Sequence, residues 1–181
     1  VVIDLINLTK GKTLILFTAK SDMEAVYQKL LEANLPYEIM TQSEDSSQGE
    51  ILASFKIDIN SVLLGTGTYW EGINIEGESL SNLIIFRLPF PVPDPIIEYK
   101  CSIEDDPLMK VNVPIMIIKL NQGIGRLIRS NEDKGIVSII DPRLGDNAPS
   151  KYKNIVWESL PIKNKTDSFV EIENFYHSLD Y

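Results

Sequence analysis

Cysteine is nearly absent from the 181 residues: Cys101 stands alone, so no disulfide closes within the chain and no cysteine-rich metal or iron–sulfur site can be built from it. A reducing, cytoplasmic setting is the expectation that follows. Histidine is equally scarce, and His177, with no evident carboxylate or cysteine partner, reads as a surface or packing residue. No metal ligands are expected. Long hydrophobic runs are missing too: nothing is long enough to cross a bilayer, and no signal peptide opens the sequence. No membrane partner is expected. Basic residues are outnumbered, 17 Lys and Arg against 26 Asp and Glu, for a net charge of −9. A free-standing nucleic-acid binder needs clustered cations against phosphate, so any contact with DNA must be sparse and shared with another domain. A complete phosphate-binding loop is also lacking. Gly11-Lys12-Thr13 resembles the end of one, but Ile6 stands where its first glycine is required, and the triplet precedes a strand. Neither Gly65-x-Gly67 nor Gly123-x-Gly125 has the third glycine of a dinucleotide fingerprint. A stand-alone nucleotide-binding enzyme is therefore disfavoured.

What is present is an ordinary globular balance, 44% hydrophobic and 24% charged, in a length that suits one domain with its own core. Residues 1–181 are read as that domain, with 1–10 compatible with a tail of a preceding segment. The chain begins at Val1 rather than methionine, which suggests a piece of a longer protein. Short apolar runs at Thr13–Phe17, Ser61–Leu64, Asn82–Leu88 and Gly135–Ile140 read as buried strands, and Tyr37–Met40 as a shorter one. Ser21 with Glu24, and Ser47 with Glu50, have capping-box spacing. Asp94 before Pro95 marks a helix start. Val113–Ser130 is the longest helical pattern, Asp146 and Asn147 are candidate caps for a helix carrying Tyr152 and Val156, and Phe169–Leu179 fits a terminal helix. Strands alternating with helices predict an α/β fold, a parallel sheet flanked by helices on both faces, with ligands at the carboxyl ends of its strands.

Two stretches carry chemistry. In Gln122-Gly123-Ile124-Gly125-Arg126-Leu127-Ile128-Arg129, a helix would place Gln122, Arg126 and Arg129 on one face. Each internal glycine costs such a helix roughly 1 kcal/mol relative to alanine, which suggests a close approach by packed backbone or a bound group. Arginine suits polyphosphate, since its planar fork donates in pairs and stays charged. The plainer alternative is a solvated basic face on a glycine-loosened helix. The second stretch, Gly65 to Gly77, follows a strand end and combines glycines with the hydroxyls of Thr66 and Thr68. Its plainer alternative is a long connector with Trp70 packed beneath it. Glu104, Asp105 and Asp106 form a charge run that reads as a solvated loop.

Taken in order, Phe17-Thr18-Ala19-Lys20, Tyr69-Trp70-Glu71-Gly72, Leu88-Pro89-Phe90 with Asp94-Pro95, Gln122 to Arg129, and Asp141-Pro142-Arg143 resemble the motifs of superfamily 2 helicases, in the DinG branch related to XPD. The matches run from about residue 13 to residue 143, and their order is more specific than any one of them. The resemblance implies a RecA-like fold of the P-loop NTPase type, the second helicase motor domain. It implies that Arg126 and Arg129 reach the γ-phosphate of an ATP held with Mg²⁺ mainly by the N-terminal RecA-like half of the same polypeptide. Arg129 would be the arginine finger and Gln122 would couple that site to domain closure. Thr18, Thr66 and Thr68 would contact single-stranded DNA, while Glu71, Gly72 and Asn74 would link the DNA path to the nucleotide. Asn74 departs from the family pattern, which has aspartate there; asparagine hydrogen-bonds without bringing charge. Asp141 and Arg143 are read as ordering the sheet edge. The resemblance implies an ATP-dependent DNA helicase, with the isolated segment expected to be inactive. Two other outputs fit the same residues: a helicase-like ATP-binding module regulating a DinG-type exonuclease, and a degenerate RecA-like module that binds a protein partner through the Trp70 loop.

Overall fold

A computed structural model describes residues 1–42, 47–71, 75, 80–128, 134–146 and 150–179. Among these residues five strands, β1 (Thr13–Phe17), β2 (Ile39–Thr41), β3 (Val62–Gly65), β4 (Asn82–Phe86) and β5 (Ile136–Ile140), form one sheet in the order β2-β3-β1-β4-β5. Every pairing is parallel. The central strands β1 and β3 are buried along their whole length, which is why they read as unbroken apolar runs rather than alternating ones. Among the described residues seven α-helices accompany the strands: α1 (Val2–Leu8), α2 (Lys20–Glu32), α3 (Gln48–Ile57), α4 (Pro95–Ser102), α5 (Val113–Ile124), α6 (Lys153–Ser159) and α7 (Phe169–His177).

Alternate residues of each strand feed two cores, one per face. Leu14, Leu16, Leu63, Leu83 and Ile85 pack with Ile51 and Phe55 of α3, Met116, Leu120 and Ile124 of α5, and Val156 of α6. Ile15, Phe17, Val62, Leu64 and Ile84 pack with Leu5 and Ile6 of α1 and Leu30 of α2. Helices thus cover both faces, as the strand–helix alternation predicts. Residues 1–10 contribute to this packing: Val2–Leu8 is helical, and Leu5 and Ile6 are among the most buried side chains.

The chain leaves β1 for the edge strand β2, returns to β3 beside β1, then crosses to β4 and β5 on the other side. The carboxyl ends of β3, β1 and β4 therefore lie side by side where the winding reverses, the place where such sheets bind ligands.

Local signals fared unevenly. Ser47 and Glu50 do form a capping box on α3, and Asp94 accepts from the Ile96 and Ile97 amides at the start of α4. Ser21 caps nothing, because α2 begins at Lys20, directly after β1, with Ala19 at its cap position. Asp146 pairs with Lys153 at 2.5 Å rather than capping α6, whose cap residue is Tyr152. The Val113–Ser130 pattern is shorter at its end and preceded by more helix than expected: a π-helical run, Leu108–Asn112, leads into α5, which stops at Ile124.

Candidate functional site

The loop after β3 owes its shape to two glycines. A Cβ on Gly65 would lie 2.4 Å from Cγ of Tyr69, whose ring folds back over the strand end. Gly67 takes φ +52, a left-handed conformation that favours glycine. The chain then makes a 3₁₀ turn, Gly67–Trp70, in which Tyr69 donates its amide to the Thr66 carbonyl and Glu71 to that of Thr68, both at 3.1 Å. The turn drives Tyr69 and Trp70 into the core and leaves Thr66 half-buried, with Thr68 and Glu71 exposed. Burial pushes the Tyr69 hydroxyl pKa up.

Trp70 joins three segments that are far apart in sequence. Its indole N–H donates to the Phe17 carbonyl at the end of β1 (2.8 Å). Its own carbonyl accepts from Nη2 of Arg126 at 3.1 Å. Its ring lies against Gly123, where a Cβ would sit 2.9 Å from Cζ3, and the Lys119 ammonium stands 5.8 Å from its centroid. Gly123 is therefore required by packed neighbours, one of the two reasons its helical cost suggested. Gly125 has no comparable neighbour, since a Cβ there would meet only the Asn121 and Gln122 carbonyls at 3.4 Å.

Gln122 and Arg126 do not share the face of one continuous helix. The regular helix ends at Ile124, and Arg126 and Leu127 donate to carbonyls three residues back in a tight turn. That turn carries Arg126, half-buried, toward Trp70, while Gln122 is exposed. Gly72, Asn74 and Arg129 lie outside the described residues.

Thr18 is exposed one residue past β1. Leu16 pairs with Gly65 at the last rung of the β1–β3 ladder, so Thr18 leaves β1 at a strand end adjacent to the one from which Thr66 and Thr68 leave β3. The structure thus brings the three threonines to neighbouring strand ends. On the other side, Phe17 pairs with Phe86 at the last rung of the β1–β4 ladder, and Arg87 is the first residue past the end of β4, as Thr18 is past the end of β1. Arg87 was not singled out from the sequence. It has φ +72, and its Nε lies 3.2 Å from Asp22 in the first turn of α2. A lone arginine between a strand and a proline-rich loop carries no sequence signal that would have found it.

Asp141 and Arg143 order the sheet edge in a specific way. The Asp141 carboxylate accepts from the Leu88 amide (2.8 Å), the Arg143 amide (2.9 Å) and the Arg143 guanidinium (2.9 and 2.5 Å). The Arg143 guanidinium stacks over Phe90 at 4.9 Å, and Phe90 meets Tyr152 edge-on. Burial alone would push the Asp141 carboxyl up, but the hydrogen bonds from Arg143 and Leu88 outweigh it and hold the pKa below the usual carboxylate value. The Leu88-Pro89-Phe90 segment is thereby fastened to the end of β5.

Gly11-Lys12-Thr13 sits at the opposite, amino end of the sheet. A Cβ on Gly11 would lie 2.4 Å from the Asn60 carbonyl oxygen, and the Thr13 hydroxyl donates back to the Gly11 carbonyl. The triplet packs a strand entry. In the acidic run, Glu104 and Asp105 pair with Lys110 on the surface. No cluster of three metal-ligating side chains occurs among the described residues.

Residues 2–162 match the model of the family described as the helicase C-terminal domain. The chain is 34% identical, over 97% of its length, to the ATP-dependent DNA helicase YoaA of Haemophilus influenzae, and spans 27% of that protein. It is 33% identical, over 88% of its length, to the 3'-5' exonuclease DinG of Bacillus subtilis, and spans 18% of it. An apo XPD structure superposes with a TM-score of 0.65 at 20% identity, covering 88% of this chain and 33% of that one.

Proposed function

The chain belongs to the helicase C-terminal domain family, in its DinG-type branch with the RecA-like motor fold, and on that premise we propose that it is the arginine-bearing motor half of an ATP-driven DNA helicase. The proposal takes residues 1–181 as one RecA-like unit working against an N-terminal RecA-like half, which holds most of the ATP and Mg²⁺. Arg126 and Arg129 stabilise charge on the transferring γ-phosphoryl group, with Arg129 as the finger, because a fixed guanidinium strengthens most where negative charge develops. Gln122 couples that site to domain closure, and Glu71, Gly72 and Asn74 link the nucleotide to the DNA path. Thr18, Thr66 and Thr68 form part of the track for single-stranded DNA.

The observation that carries this reading is the position of Trp70. One residue holds the backbone beside Thr18, belongs to the loop bearing Thr66 and Thr68, and accepts a hydrogen bond from Arg126. A movement of the arginine turn is thus transmitted to the threonine-bearing ends through two hydrogen bonds and a packed ring. The test is ATP hydrolysis by the intact polypeptide, with and without single-stranded DNA, beside Arg129→Ala. DNA should stimulate turnover, and the variant should lose on the order of 10³-fold. A wild type that DNA does not stimulate, or a variant that matches it, overturns the reading. The isolated chain should hydrolyse no ATP.

A second reading draws on the Bacillus subtilis relative, whose name is that of an exonuclease. Here the same module binds ATP and regulates a nuclease without unwinding. It predicts ATP-dependent changes in nuclease rate and no strand separation.

A further inference from the structure

Arg87 has an unusual combination of properties. It stands one residue past β4, with its backbone in the left-handed region at φ +72, which any side chain other than glycine adopts at a cost. The conformation is enforced from both sides. The Arg87 amide donates to the Ile140 carbonyl at 3.0 Å, and the next amide, of Leu88, donates to buried Asp141 at 2.8 Å. Leu88 and Pro89 are themselves buried, so the chain beyond Arg87 cannot relax. The arginine itself is exposed, and its described side-chain partner is Asp22, at 3.2 Å. An exposed ion pair of this kind contributes little to stability. Stability therefore does not explain an arginine at a position that glycine or asparagine would occupy more easily. Strain held in place by its surroundings is characteristic of functional positions.

The location supplies the function. Phe17 and Phe86 form the last pair of the β1–β4 ladder, so Thr18 and Arg87 are the first residues beyond two adjacent strand ends, with Arg87 one strand further from the loop of Thr66 and Thr68. Asp22 lies in the first turn of α2, which starts two residues after Thr18, so the Arg87 head group lies over the same strand end. Adjacent parallel strands are about 4.8 Å apart, so hydroxyls and guanidinium span roughly 10 Å across β3, β1 and β4. Arginine binds phosphate through a planar pair of donors. In a chain of net charge −9, a cation held by its backbone at this row is well placed to neutralise a phosphate.

We propose that Arg87 is a phosphate-binding residue of the single-stranded DNA track, held in position by Asp22 until a DNA phosphate replaces that carboxylate. This rests on the proposed function, since it assumes that the threonine-bearing strand ends carry DNA. The experiment measures equilibrium binding of a single-stranded oligonucleotide to the intact protein over a range of salt concentrations. The proteins compared are wild type, Thr18→Ala, Arg87→Gly, Arg87→Lys and Asp22→Asn. Each phosphate neutralised on a single strand contributes about 0.7 to the slope of log affinity against log salt. Arg87→Gly should weaken binding about tenfold and lower that slope by about 0.7. It should also raise the thermal midpoint, because glycine relieves the backbone strain, which separates lost contact from lost folding. Arg87→Lys should restore the slope, and Asp22→Asn should bind DNA at least as tightly as wild type. A slope and affinity unchanged in Arg87→Gly, while Thr18→Ala weakens binding, would overturn the Arg87 assignment and leave the track in place. A wild type that does not bind single-stranded DNA would instead overturn the proposed function.

Discussion

At the scale of single residues, the two glycines of the arginine segment differ in kind. A methyl group on Gly123 would press to 2.9 Å from the Trp70 ring, and that ring cannot swing away without losing its hydrogen bond to the Phe17 carbonyl. Alanine favours a helix over glycine by about 1 kcal/mol, while overpacking a closed core costs about 1–3 kcal/mol. Gly123→Ala should therefore be destabilised by up to about 2 kcal/mol in urea unfolding. At Gly125 the backbone is right-handed, with φ −62, and the added methyl would meet ordinary contacts. Gly125→Ala should be neutral or more stable by up to about 1 kcal/mol. Equal effects at both positions would contradict the packing role given to Gly123. From the sequence both glycines look alike, because the partner that distinguishes them, Trp70, is brought in from a different loop.

At the scale of elements, the strands were legible because each is a short apolar run with a single plausible period, and every one lies within a residue or two of where its pattern places it. Helix ends were legible only in part: Ser47 and Asp94 cap as their spacing predicts, others do not. Ser21 has the spacing of a cap, but the β1–α2 connection is too short to leave it outside the helix. The arginine segment continues a helical pattern, yet its backbone tightens after Ile124 so that Arg126 reaches Trp70. The clamp between β4 and β5 shows the same limit: Asp-x-Arg is visible as a motif, but its grip on the Leu88 amide depends on sheet register. That grip has a pH signature. The Asp141 pKa is lower in the folded chain than its ordinary 3.8, so the stability it provides is complete above about pH 4 and is lost as pH falls through the depressed value. At neutral pH, Asp141→Asn should cost about 1–3 kcal/mol, as expected for charge-assisted hydrogen bonds to a buried acceptor. The difference between wild type and variant should shrink below pH 4. A gap that stays constant into acid would mean that the carboxylate charge is not what holds the loop.

At the scale of the molecule, the proposed function requires an acidic domain to confine its DNA contacts to a small area, and the ends of β3, β1 and β4, gathered where the winding reverses, offer one. The motifs for that area were legible in the sequence as an ordered set, but their physical connection was not, since it runs through one indole. Trp70→Phe tests the connection: it keeps an aromatic ring in the core but removes the N–H that holds the Phe17 carbonyl, together with part of the indole that lies against Gly123. Loss of one buried hydrogen bond, with its acceptor left unpaired, should cost about 1–3 kcal/mol of stability, a modest share of a domain's total. If nucleotide state and DNA contact are linked through this residue, the intact variant should keep basal ATP hydrolysis within about twofold, because the arginines remain. Its stimulation by single-stranded DNA should fall several-fold, since a coupling free energy of about 1 kcal/mol is worth roughly fivefold. The ratio of stimulated to basal rate is the quantity to measure, because it is insensitive to a small loss of folded protein. An unchanged ratio in a destabilised variant would make Trp70 a core residue that merely lies between two sites, with the coupling carried elsewhere.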